Sequence, residues 1–265
     1  MDKTDRQAGR RRLLKGCAAA AAAAGSTLFS SSPCTAAAAA PGASPGEGVQ
    51  VAVITGGHPF DVPSFHRLFR SLKGVNAMIQ HIDDFASSPA EVRDAYQAVL
   101  FYFMMMPTPT DEKLPGYAGK PKAALEHLGA TRQGIIVLHH ALLAYPQWPV
   151  WSEIVGIANR KFGYHPNQKL RLDVVKPDHP IVKGMPAWEM TDETYTMADA
   201  GAGSEVLLAT DHPKSMKTVG WTRQHKQSRV FCLALGHDNA AYANPSFREV
   251  LRRGIRWCAG AGKPS

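Results

Sequence analysis

Gly134-Ile135-Ile136-Val137-Leu138-His139-His140 decides the fold of this 265-residue chain. A short apolar run rich in β-branched residues, opened by glycine and followed by a helix-like segment, reads as a strand buried on both faces of a parallel sheet. Open α/β sheets bind ligands just beyond the carboxyl ends of such strands. The two imidazoles therefore stand where chemistry is done. The pattern recurs twice: Val51-Ala52-Val53-Ile54 runs into Gly56-Gly57-His58, and Val230 to Leu235 runs into Gly236-His237-Asp238. Three apolar strands ending in histidine point to one site at one edge of one sheet.

Outward from this stretch, strands and helices alternate. Strands are expected near 50–55, 76–82, 98–103 and 134–139. One helix carries Phe65, Leu68, Phe69 and Leu72 on one face and stops at Gly74; others are expected at 121–130 and about 150–158. This alternation predicts a doubly wound, mainly parallel sheet. The loop 104–119, punctuated by proline and glycine, is expected to lie over the site. Strands at 170–175, 206–209, 219–223 and 229–235 follow one another and predict a partly antiparallel edge. Asn244 as N-cap and Pro245 behind it open a last helix, whose apolar face is Phe247, Val250, Leu251, Ile255 and Cys258.

The first forty residues stand apart. Arg10-Arg11-Arg12 precedes an alanine-rich, weakly apolar stretch that ends in small residues, the pattern of an export signal. The arginine pair favours the twin-arginine route, with cleavage near Ala40 and a mature protein that is periplasmic or secreted. The stretch is too poor in large apolar residues for a stable membrane span. Residues 41–49 read as a linker and 50–260 as the domain. The net charge of +8 is partly the signal's, which holds six of the 30 basic residues and two of the 22 acidic ones. No basic run interleaved with aromatics follows, which argues against nucleic acid as a partner. About 220 residues suffice for one ordinary core. Cys232 and Cys258 remain in it, without metal-binding spacing; an oxidising compartment would allow them to pair, but buried free thiols are the favoured reading.

Several ordered segments now form one pattern: Gly134 to Ala141, Trp148 to Trp151, Phe162 to Pro166, Asp178 to Pro186, Thr191-Asp192-Glu193-Thr194-Tyr195, Val219 to Arg223, Arg229 to Asp238, and Gly254 to Trp257. Over roughly residues 50–260 the chain resembles the ThuA-like (trehalose utilisation) family. The resemblance implies a class I glutamine amidotransferase-like, flavodoxin-like sheet. It also implies catabolism of trehalose-like disaccharides, with 3-keto sugars or glycosides as substrates and isomerase or hydrolase/lyase chemistry. In amidotransferases the strand matching 134–139 ends in a cysteine nucleophile. His139 stands there instead, so glutamine hydrolysis is not expected.

His139, His237 and Glu193 are the expected catalytic groups, and His58, His140, Tyr195 and Asp238 the expected substrate contacts. Each has a competing structural reading: a turn cap for His139, a solvated carboxylate for Glu193, an ordered turn for His165. Histidines with a carboxylate suit a divalent metal such as zinc, and His139, His165, His237 and Glu193 are the expected ligands. Without metal the same groups serve proton transfer at a carbonyl sugar. The tryptophans offer faces for sugar rings but fit core packing better. The alternative to an enzyme is a non-catalytic carbohydrate-binding module.

Overall fold

A computed structural model describes residues 48–112 and 119–260. The proposed signal, most of the linker and the middle of the 104–119 loop lie outside these residues. The first half alternates as expected: β1 (Val49–Gly56), α1 (Val62–Ser71), β2 (Val75–His81), the short α2 (Ile82–Ser87) and α3 (Ala90–Asp94), β3 (Ala98–Phe103), α4 (Pro121–Glu126) and β4 (Gly134–Leu138). A single 3-10 turn, His139–Leu143, follows β4, and then α5 (Pro149–Val155). The second half runs β5 (Gly163–Val174), β6 (Trp188–Thr196), β7 (Glu205–Ala209), β8 (Thr218–His225), β9 (Ser228–Leu233), α6 (Asn239–Ala243) and α7 (Pro245–Cys258).

These strands form one nine-stranded sheet in the order β2-β1-β3-β4-β9-β8-β7-β5-β6. From β2 to β9 every pairing is parallel. From β9 to β6 every pairing is antiparallel. The antiparallel part is thus half of the sheet, wider than the edge expected from sequence. β1, β3 and β4 are buried along nearly their whole length, as strands covered on both faces must be. The chain leaves β1 toward β2 on one side and reaches β3 on the other, so the switch point lies at the carboxyl ends of β1 and β3.

Local chemistry sets the helices. Asp61 caps α1 by accepting from the Ser64 amide at 3.0 Å, and Phe65, Leu68 and Phe69 turn inward. Asn244 caps α7 through the Phe247 amide at 3.0 Å. Gly134 opens β4 because a Cβ there would lie 2.5 Å from the Cys258 carbonyl carbon, so α7 packs directly on the strand. Cys232 and Cys258 are free and buried. Trp151 and Trp221 are core residues whose indole N–H groups donate to the Ala141 and Val155 carbonyls. Among the described residues no helix is long and apolar enough to cross a membrane.

Candidate functional site

The carboxyl ends of β1, β4 and β9 bring His58, His139, His140 and His237 together. Ring centroids lie 5.2 Å apart for His139 and His237, 5.8 Å for His58 and His237, and 4.3 Å for His58 and His140. Glu193 and Tyr195 arrive from β6. This strand is at the far end of the sheet by hydrogen-bonding order, yet it packs on α6 and reaches the histidines. The long β5 makes this possible: its last two residues pair with β7, and the rest pairs with β6 as a two-stranded ribbon with a bulge between His165 and Gln168.

His139 has φ of 51°, a left-handed conformation that a residue with a Cβ adopts at a cost of about 1–3 kcal/mol. The strain sits at the sharp exit from β4. Its Nδ1 meets the Ala234 carbonyl at 2.8 Å and its Nε2 meets the Tyr195 hydroxyl at 2.6 Å. A carbonyl only accepts, so Nδ1 carries the hydrogen and, in the neutral ring, Nε2 presents its lone pair. Glu193 Oε1 lies 3.6 Å from that same Nε2 and 3.9 Å from His237 Nε2. Burial opposes ionisation of Glu193, but His139, His237 and Tyr195 together hold its carboxyl below the ordinary range. An ionised carboxylate and the Tyr195 hydroxyl thus both stand at His139 Nε2.

His139 side-chain exposure is 0 %, Glu193 12 % and His237 26 %. His139 is therefore the floor of the cluster, with Glu193 and His237 between it and solvent. His58 is half-buried and gives Nδ1 to the Pro59 carbonyl at 2.8 Å, leaving Nε2 free. Burial, aided by the charges of His237 and His139, lowers its pKa and favours the neutral ring. Gly57 precedes it at φ 67°, and a Cβ there would lie 2.5 Å from the Met104 carbonyl oxygen. The backbone approach that aims His58 thus requires glycine.

Three expected site residues stand differently. His140 is sealed between Tyr102 and His58, with ring centroids 4.2 and 4.3 Å away, and neither ring nitrogen makes a well-formed hydrogen bond. Burial pushes its pKa down to about 2, only partly offset by the nearby Phe103 backbone. It supports His58 as a neutral packing group and offers a ligand no surface. Asp238 caps α6, accepting from the Ala240 amide at 2.9 Å, and its other oxygen is 3.9 Å from His237 Nδ1. His165 lies on the β5 ribbon against Thr196, 3.4 Å away, and is not in the ligand cluster. The reason is alternation: the register pairs His165 with Thr194, so it stands on the opposite face of the ribbon from Glu193 and Tyr195.

Sequence reasoning missed Asp192 and Arg160. Asp192 is fully buried, and its carboxylate accepts from the amides of Gly236 at 2.7 Å, His237 at 3.0 Å and Glu193 at 2.9 Å. It fixes the turn that carries His237. Burial raises its pKa, against the pull of His139 and these amides. Arg160, also buried, donates to the Ala144 carbonyl at 3.0 Å and the Tyr145 carbonyl at 2.5 Å, closing the chain that leaves the His139 turn. A carboxylate at an inward position of a strand was the available signal for Asp192. Arg160 had none.

The trehalose utilisation family model, ThuA, matches residues 91–258. The chain belongs to the ThuA family. No curated protein matches it. Among solved structures, a protein described as ThuA-like from Parabacteroides merdae aligns at 18 % identity and TM-score 0.62, over 80 % of this chain and 90 % of its own. Another, from Bacteroides uniformis, aligns at the same identity and TM-score over 83 % and 95 %. These likenesses show the shared fold. Within this ThuA-family fold the β4 exit carries His139. Cys232 lies mid-strand with its thiol pKa pushed up by burial, the opposite of an activated nucleophile.

Proposed function

We propose that this ThuA-family protein is an enzyme of carbohydrate catabolism acting on a carbonyl-bearing sugar, a 3-keto derivative of trehalose or a related glycoside. The convergence of His139, His237 and Glu193, each with one potential ligand atom within 4.8 Å of the others', supports this reading. Zinc bonds of about 2.0–2.1 Å place tetrahedral ligands about 3.4 Å apart, close to the 3.6 and 3.9 Å observed. The His139 Nδ1 contact to Ala234 is the outer hydrogen bond that metal-binding histidines make. The Tyr195 hydroxyl, at the same Nε2, is the one group that has to turn aside. A divalent ion held by these three residues would polarise the sugar's carbonyl oxygen.

The C3 carbonyl of such a sugar acidifies the hydrogen at C2. His58, with Nε2 free, accepts that proton, and the electron pair moves onto the C3 oxygen as an enediolate. Return of the proton at C3, with transfer of the O2 hydrogen to O3, gives the 2-keto isomer. Departure of the C1 oxygen with its bonding pair, protonated by His58, gives an enone and a free sugar. Isomerase and lyase chemistry share the first step.

Incubation of the mature protein with 3-keto-trehalose, with and without chelator, tests the reading. The expected result is consumption of the sugar by protein that contains metal, and loss of turnover on chelation. Binding without consumption would identify a carbohydrate-binding module and overturn the enzyme. Turnover by metal-free protein would remove the ion and leave the proton transfer to His58 alone. The same reading puts the work outside the cytoplasm through twin-arginine export. Arg11→Lys with Arg12→Lys should trap the precursor inside, and undiminished export would count against that route.

A further inference from the structure

A second concavity lies on the helical face of the molecule, where α1 meets α6 and the first turn of α7. It is a groove of about 700 Å³, floored by Leu68 and Tyr242 and flanked by Arg67, Arg70 and Arg248. Three guanidiniums in one groove repel one another unless a negative charge offsets them. Among the described residues, none of the three makes an ion pair. The nearby carboxylate, Asp61, is already engaged by the Ser64 amide, the Ser64 hydroxyl and the Asn239 amide. Arg67 spends one N–H on the Ser64 hydroxyl at 2.6 Å, and Arg248 one on the Ala243 carbonyl at 3.4 Å. Most of their donors remain unassigned.

Position strengthens the charge. Arg248 stands in the first turns of a 14-residue helix that has no acidic residue in its first turn. Cations at that end work against the helix dipole, and anions are favoured there. The arginines of α7 point elsewhere in the next turn: Arg252 and Arg253 both pair with Glu249. Arg248 has no part in that pairing and lines the groove instead. On α1, Arg67 and Arg70 are three residues apart and share one face.

We propose that this groove is an anion site for a phosphoryl group carried by a small molecule. Three fixed positive charges exceed what one carboxylate can use. A phosphoryl group carries close to two negative charges and three strong acceptor oxygens, and guanidinium forks match it bidentately. The groove is separate from the histidine cluster and does not depend on the sugar chemistry proposed there. Its wall nonetheless touches that site: the Tyr242 hydroxyl, 2.7 Å from that of Tyr102, donates to the His237 carbonyl at 3.3 Å.

Calorimetric titration of the mature protein with inorganic pyrophosphate and with phosphate, in chloride buffer at constant ionic strength, tests the site. Saturable binding of at least one of them at a single site is expected. Arg67→Ala and Arg248→Ala should each weaken it at least about tenfold, the scale of a lost charge-assisted pair. Arg171→Ala, on the β5 ribbon and outside the groove lining, should leave it unchanged. At one fixed concentration the same anion should raise the melting temperature of the parent and of Arg171→Ala by more than that of the other two variants. No saturable binding, or equal weakening in all three variants, would overturn the proposal.

Discussion

The Tyr195 hydroxyl lies 2.6 Å from Nε2 of His139, and this contact ties β6 to the carboxyl end of β4. Both residues are buried. Burial, with Glu193 close by, raises the Tyr195 pKa, so the phenol keeps its hydrogen and donates it. Tyr195→Phe leaves Nε2 buried without its donor. The expected loss is about 1–3 kcal/mol, read as a fall in melting temperature of a few degrees. Unchanged stability would mean that the contact contributes nothing.

Asp192 predicts a larger effect. Removing its carboxylate leaves the amides of Gly236, His237 and Glu193 without their acceptor. Each buried unpaired amide costs about 1–3 kcal/mol. Asp192→Ala should therefore lower the melting temperature by about 6 °C or more. Asp192→Asn keeps one oxygen acceptor and should recover part of that loss. Equal melting of the parent and the alanine variant would show that the turn at His237 is held by something else.

A pH dependence follows from Glu249. The guanidinium of Arg252, with that of Arg253, holds its carboxyl down at about 2, below the ordinary 4.5. The folded pKa is depressed, so its stabilisation is present above about 4.5 and is lost as pH falls toward 2. The pair is one-third exposed, which limits it to about 0–1 kcal/mol. Glu249→Gln should lower stability slightly at pH 7, and the gap from the parent should close as pH falls through this window. Urea unfolding across pH measures it, and a gap that widens with acid would contradict the sign.

The central parallel strands β1, β3 and β4 were legible because they are buried on both faces and read as unbroken apolar runs. The histidines were legible because they terminate those runs. β6 was not. Trp188, Met190, Asp192 and Thr194 do alternate inward, but a buried aspartate at one inward position hides the period. The outer part of β5 was missed for a related reason: it pairs only as a ribbon with β6 and is polar and largely exposed. The short helices α2, α3 and α6, of five or six residues each, are too brief to show a helical repeat. Expecting His139 to meet substrate followed from its strand-end position. Only the packing of Glu193, Tyr195 and His237 over it reveals a floor.

The most direct measurement is solvent exchange at C2. The mature protein is incubated with 3-keto-trehalose in heavy water, and loss of the C2 hydrogen signal is followed by nuclear magnetic resonance. Proton removal next to the carbonyl predicts exchange at C2 at or above the rate of product formation. A positioned base contributes roughly 10²–10⁴-fold, so His58→Gln should slow exchange by at least about a hundredfold in a protein that still folds. Product formed with the C2 hydrogen fully retained, or exchange undiminished in that variant, would contradict the chemistry assigned to this site.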